Sequence, residues 1–128
     1  MTTQKLFICK NCGNIVVQIH DGGGKLVCCG MLMKELTANT VDAAKEKHVP
    51  VVCVEGNKVC VTVGSALHPM LAAHYIQWIY LETTHGGHCW HLAPDDEPKA
   101  EFVLAEGEKP LAAYEYCNLH GLWKAEVR

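Results

Sequence analysis

The sequence predicts a mainly β protein in two parts, a small metal-stapled unit at the N-terminus and an immunoglobulin-sized β-sandwich after it. Three observations predict this. Four cysteines crowd residues 9–29, inside a stretch of about 36 residues that cannot bury enough core by itself. From Val49 onward β-rich segments recur between turn signals, six or seven of them in about 80 residues, the spacing expected of a sandwich. No helix-period stretch exceeds two turns.

In chain order, Leu6-Phe7-Ile8 is a short strand leading into Cys9-Lys10-Asn11-Cys12-Gly13. Asn14 to His20 is β-rich, Asp21-Gly22-Gly23-Gly24 must turn, and Lys25-Leu26-Val27 returns to Cys28-Cys29-Gly30. The small polar run Thr37 to Ala44 reads as a linker with one helical turn, which divides the chain into domains of residues 1–37 and 38–128. Beyond it, Val49 to Val54 and Lys58 to Val63 flank Glu55-Gly56-Asn57, a hairpin signal. Tyr75 to Leu81 and His88 to Leu92 flank His85-Gly86-Gly87. Ala100 to Leu104, Lys109 to Tyr116 and Leu122 to Val127 complete the series.

Composition narrows the function. Eleven Lys and Arg against 14 Asp and Glu leave a net charge of −3, without a basic run, so a nucleic-acid partner is not expected. No stretch has the length of a membrane span, and the N-terminal residues lack a signal peptide's apolar region, so the expected compartment is the cytoplasm. In that reducing setting eight Cys and eight His point to metal ligation or catalysis before disulfides.

Two constellations carry this. Cys9-x-x-Cys12-Gly13 and Cys28-Cys29-Gly30 are 15 residues apart. A Cys-x-x-Cys knuckle sets two thiolates on one side. Adjacent cysteines reach the same ion only where the chain turns, which Gly30 permits. Four thiolates suit tetrahedral zinc or a single iron, and the spacing does not choose between them. The second constellation is His48, His68, His74, Cys117 and His120. Four imidazoles and a thiolate make five ligands, one more than a structural zinc takes. Such a set suits iron and leaves one octahedral position open.

Taken together, Cys9-x-x-Cys12, Cys28-Cys29, Glu46-Lys47-His48-Val49-Pro50, His68-Pro69-Met70, His74 and Cys117-Asn118-Leu119-His120-Gly121-Leu122-Trp123-Lys124-Ala125 resemble the desulfoferrodoxins, the two-iron superoxide reductases. The resemblance runs from about residue 5 to residue 126 in motif order and spacing. It implies a rubredoxin-like (desulforedoxin-like) N-terminal domain followed by an immunoglobulin-like superoxide reductase domain, and two non-haem iron ions per chain. Cys9, Cys12, Cys28 and Cys29 would form Fe(Cys)4. His48, His68, His74 and His120 would lie around the second iron with Cys117 as its axial thiolate, Fe(His)4(Cys). Glu46 and Lys47 match the family's pair beside the open position. The implied reaction is one-electron reduction of superoxide to hydrogen peroxide, the implied partner a rubredoxin-type electron donor, and the implied assembly a homodimer. An electron carrier or a zinc-binding interaction module are the competing readings. The five-ligand set and the Glu46-Lys47 pair speak against the module, and turnover separates the carrier.

Other residues are expected to be structural. His88 and Trp90 should share one strand face and Cys89 and His91 the other, so that His85 to His91 is a turn and strand and not a metal site. His20 is expected on a solvated turn. Cys53 should face Cys60 as a pair of buried free thiols, and Trp78, Trp90 and Trp123 should be core residues, with Trp123 near His120.

Overall fold

The computed structural model describes residues 4–127. The chain divides into two compact units, Met1–Thr37 and Ala38–Arg128.

In the first unit β1 (Lys5–Ile8), β2 (Ile15–Gln18), β3 (Val27–Cys28), β4 (Met31–Leu32) and β5 (Lys34–Glu35) follow in order. One antiparallel sheet has the order β2-β1-β5, and β3 and β4 form a separate ribbon. Only Leu6 and Cys9 are buried apolar side chains in this unit among the described residues, while Ile19, Val27, Met31 and Leu32 are exposed. Strands β4 and β5 have no counterpart in the sequence reading. Each is two residues long with both side chains exposed, so no alternation marks it.

The second unit opens on the single turn α1 (Lys45–His48), then β6 (Pro50–Glu55), β7 (Lys58–Val63), β8 (Ile76–Thr83), β9 (Gly86–His91), β10 (Lys99–Val103), β11 (Pro110–Cys117) and β12 (Gly121–Glu126). Two antiparallel sheets, β10-β7-β6 and β12-β11-β8-β9, make a seven-stranded sandwich of immunoglobulin-like type. Alternation builds the core. Along β7, Val59, Val61 and Val63 point inward and are fully buried, roughly 1.5–3 kcal/mol each. They meet Ile79 and Leu81 from β8, Phe102 from β10, and Ala113 and Cys117 from β11.

The first hairpin pairs Glu55 with Lys58 across Gly56-Asn57, with Gly56 at φ 60°, and Cys53 lies opposite Cys60 as read from the sequence. Both thiols are free, but Cys53 is exposed and Cys60 partly so, because that face of the edge strand looks outward. Of the three tryptophans only Trp123 is fully buried. Trp90, on edge strand β9, keeps 40% of its surface and meets the ring of Phe102 edge-on.

Register then sets the site. Pro50 pairs with Val63, Cys117 with Ile76 and Cys117 with Gly121. The start of β6, the loop from β7 to β8 and the turn from β11 to β12 therefore share one end of the sandwich.

Candidate metal centres

In the first unit the two knuckles bring four sulfur atoms within 4.8 Å of one another. The chain reverses after β3 through Cys29 at φ 53° and Gly30 at φ 73°, which lets Cys28 and Cys29 face one point. Cys12 Sγ lies 3.6 Å from Cys28 Sγ, and Cys28 Sγ lies 4.0 Å from Cys29 Sγ. Tetrahedral metal–sulfur bonds of about 2.3 Å require sulfur separations of about 3.8 Å, so the spacing fits an ion. Amides are aimed at the same sulfurs. The Asn14 N–H donates to Cys12 Sγ at 3.5 Å and Asn14 Nδ2 to Cys28 Sγ at 3.7 Å. Donation from the Cys12 backbone draws the Cys9 thiol down to about 7, while its neighbours Cys12 and Cys9 push Cys28 up to about 12. Thiolates this close ionise together only around a cation.

The second centre gathers at the common end of the sandwich. The ligand atoms of His48, His74, Cys117 and His120 lie within 4.8 Å of one another. His68 stands outside that group of four and joins it through His48, Nε2 to Nε2 at 3.3 Å. The four rings form a closed circuit. His48 to His68, His68 to His74, His74 to His120 and His120 to His48 are neighbours at centroid distances of 4.7, 4.7, 5.2 and 4.9 Å, with planes crossed at 75–89°. His48 Nε2 is 3.1 Å from His120 Nδ1. Ligands at right angles on bonds of about 2.1 Å are about 3 Å apart, and both nitrogen pairs approach that spacing.

Each ring is aimed by what its other nitrogen does. His48 Nδ1 donates to the Ala44 carbonyl at 2.7 Å and His68 Nδ1 to the Pro69 carbonyl at 2.6 Å, which leaves both Nε2 lone pairs facing inward. His74 Nε2 is buried with no hydrogen-bond partner among the described residues. An orphaned ring nitrogen in a ring of imidazoles fits a metal ligand. Burial lowers the pKa of His48 and His74 and brings His68 down to about 4, which favours the neutral, metal-binding form of these three rings. Cys117 is fully buried, part of the hydrophobic core, with Sγ 3.8 Å from His120 Nδ1. Burial raises its thiol, so an ion must displace a proton to bind there.

Further side chains support the rings, of which the sequence marked Trp123 as a neighbour of His120. Trp123 stacks on His48 at 4.9 Å and donates through Nε1 to the His120 carbonyl at 3.1 Å. Asn118 accepts from the Tyr75 N–H at 2.9 Å and donates to the Ala73 carbonyl at 3.0 Å, tying the Cys117–His120 turn to the loop that carries His74. A polar residue between two ligands was the signal for it. Glu115 is fully buried with both carboxylate oxygens unpartnered among the described residues, and burial pushes it up to about 9. The core-face alternation Ala113, Glu115, Cys117 was its signal.

A recess of about 380 Å³ opens over the four rings, walled by Asp42, Ala44 and Lys47, while Cys117 stays beneath in the core. Lys47 is exposed on that wall. Glu46 is exposed and does not line the recess; its backbone carbonyl is held by the Ala66 N–H at 2.8 Å and Ser65 Oγ at 3.2 Å. His85, His88, Cys89 and His91 form no metal-holding group among the described residues. His88 and Trp90 share the face that meets Phe102, and His88 Nε2 donates to Glu108 Oε2 at 2.9 Å.

Comparison with known proteins adds lineage. Residues 40–126 match the desulfoferrodoxin family, and residues 2–36 match the desulfoferrodoxin N-terminal domain. A desulfoferrodoxin from Syntrophotalea carbinolica is 52% identical over 122 residues, 95% of each chain. The crystal structure of the superoxide reductase from Treponema pallidum superposes with a TM-score of 0.82 at 38% identity, covering 98% of this chain and all of that one. A one-iron superoxide reductase from Giardia intestinalis gives a TM-score of 0.56 at 37% identity, over 66% of this chain and 99% of that one. The four-cysteine cluster and the His48, His74, Cys117 and His120 cluster fit the two iron sites of a desulfoferrodoxin. Among the described residues no helix is long and apolar enough to cross a membrane.

Proposed function

Since the chain belongs to the desulfoferrodoxin family, we propose that it is a superoxide reductase, reducing superoxide by one electron to hydrogen peroxide. The observation that carries the reading is the circuit of four imidazoles over a buried thiol, with a recess on the opposite side. His48, His68, His74, His120 and Cys117 would hold an iron ion, which when bound would supply the transferred electron and attract a small anion.

The chain's own groups do the rest. The carbonyls of Ala44 and Pro69 orient His48 and His68, and Trp123 fixes the plane of His48. Cys117, shut off from water in the core, would hold the iron as a thiolate and make it electron-rich. Lys47 Nζ stands on the recess wall as a local positive charge in a chain of net charge −3. Salt screens the acidic groups beyond about 10 Å, which leaves Lys47 and the Asp42 carboxylate on the same wall as the local charges. The same ammonium supplies a proton, through water, to the reduced oxygen. Glu46, exposed outside the recess, would be a carboxylate that reaches the iron only by moving from that place. Cys9, Cys12, Cys28 and Cys29 would hold the other iron in a domain of residues 1–37, and the catalytic domain is residues 38–128. A rubredoxin-type protein is the electron donor, the assembly is a homodimer, and the compartment is the cytoplasm. Pulse radiolysis of the reduced, iron-loaded protein tests the reading. Lys47→Ala should slow the reaction with superoxide roughly tenfold or more, and an unaltered rate would remove Lys47 from steering and proton supply.

A further inference from the structure

Residues 39–49 contain no regular element but α1, yet they are tied at both ends. At one end Asn39 lies along the edge strand β12. Its backbone N–H donates to the Leu122 carbonyl at 3.0 Å, its Oδ1 accepts from the Lys124 N–H at 2.9 Å, and its Nδ2 donates to the Lys124 carbonyl at 3.1 Å. The side-chain amide stands in for the peptide group of a missing strand. Its φ of 61° is one that Asn adopts more readily than most residues. At the other end Glu46 offers its carbonyl to the Ala66 N–H and to Ser65 Oγ. Between these clamps Asp42, Ala43 and Ala44 line the recess, Lys47 follows directly after the second clamp, and Ala44 orients His48.

We propose that Asn39 and Ser65 are positioning residues for the reaction, two clamps that hold residues 39–49 as a strap and so set how tightly a small anion is received beside the iron. The proposal rests on the reading of the recess as the anion site. The strap is too short to be held by a core of its own. Its place over the rings is therefore set in part by the clamp bonds, alongside the close backbone approach at Gly64 and the buried His48 at its end.

The test uses the full-length, iron-loaded protein, with azide as the anion probe. Asn39→Gly keeps the left-handed backbone and removes both side-chain bonds. Hydrogen exchange at the Lys47 and Val49 amides, bonded to Ala44 and Lys45, should quicken roughly tenfold. Azide should bind the oxidised protein several-fold more weakly, read from its visible spectrum. Quickening confined to Lys124, with azide affinity unchanged, would show that Asn39 only covers a strand edge and would overturn the proposal. Ser65→Ala and Ser65→Thr decide the same point if the first variant does not fold. Weakened azide binding in Ser65→Ala, restored in Ser65→Thr, supports the clamp, and equal behaviour of the two overturns it. Lys47→Ala separates the inference from its premise. Unchanged azide affinity there would remove the recess as an anion site, whereas the exchange rates judge the strap independently.

Discussion

Gly64 offers the sharpest structural perturbation near the site. A Cβ built on it would stand 2.6 Å from the Glu46 carbonyl oxygen, 3.0 Å from Lys47 C and 3.1 Å from the Val49 carbonyl oxygen. All three neighbours are backbone, so no side chain can swing away. The nearest falls 0.8 Å short of ordinary contact at 3.4 Å, and Gly64→Ala must push the two chain segments apart by most of that distance. Overpacking of this kind costs about 1–3 kcal/mol, a drop of roughly 5–20 °C in the melting temperature of a unit of about 90 residues. The displaced atoms belong to Glu46 and Lys47 and lead directly into His48. A misplacement approaching 1 Å lowers the rate of a positioned reaction by up to about a hundredfold. Thermal melting of the iron-loaded protein and pulse radiolysis measure the two effects. A melting temperature within about 2 °C of the parent, with an unchanged rate, would refute the claim that this close approach holds the segment in place.

Glu108 carries the pH dependence. Thr83 Oγ1, His88 Nε2 and the Ala105 N–H all donate to its carboxylate and hold it near a pKa of about 2, below the usual 4.5. A depressed carboxylate contributes stability above its unfolded pKa and loses it as the pH falls. The stability gap between the parent and Glu108→Gln should therefore be full at neutral pH and narrow between about pH 4.5 and about pH 2; a constant gap in urea melts across that range would contradict the assignment. After removal of metal and reaction with a thiol alkylator, the unfolded chain should accept eight labels, one for each free cysteine, and a mass showing six would reveal a Cys53–Cys60 bridge.

Much of the sandwich was legible because its strands alternate. Val59, Val61 and Val63 announce the inner face of β7, and the Gly56-Asn57 turn fixes the Cys53–Cys60 register. The ligand positions were legible for a different reason. Cysteine pairs and a Cys-x-x-His turn are rare enough to carry chemistry at fixed spacing, and the circuit of rings assembles from four of the five residues so marked, with His68 at its margin and Cys117 as the fifth. Burial was harder to read. Cys53 and Trp90 lie on edge strands, where an apolar residue can face water, and sequence does not say which strand is an edge. The backbone supports were hidden, because the carbonyls of Ala44 and Pro69 have no side-chain signature and the reach of Asn39 to Lys124 spans 85 positions.

The unequal distribution of apolar burial gives the two halves of the chain opposite responses to iron starvation. The first has so little interior that its shape is the shape of its ion. The second packs an oily centre that stands whether or not a cation arrives. Scarcity would thus dissolve the one and merely disarm the other, leaving a folded vessel that regains its use when supply returns.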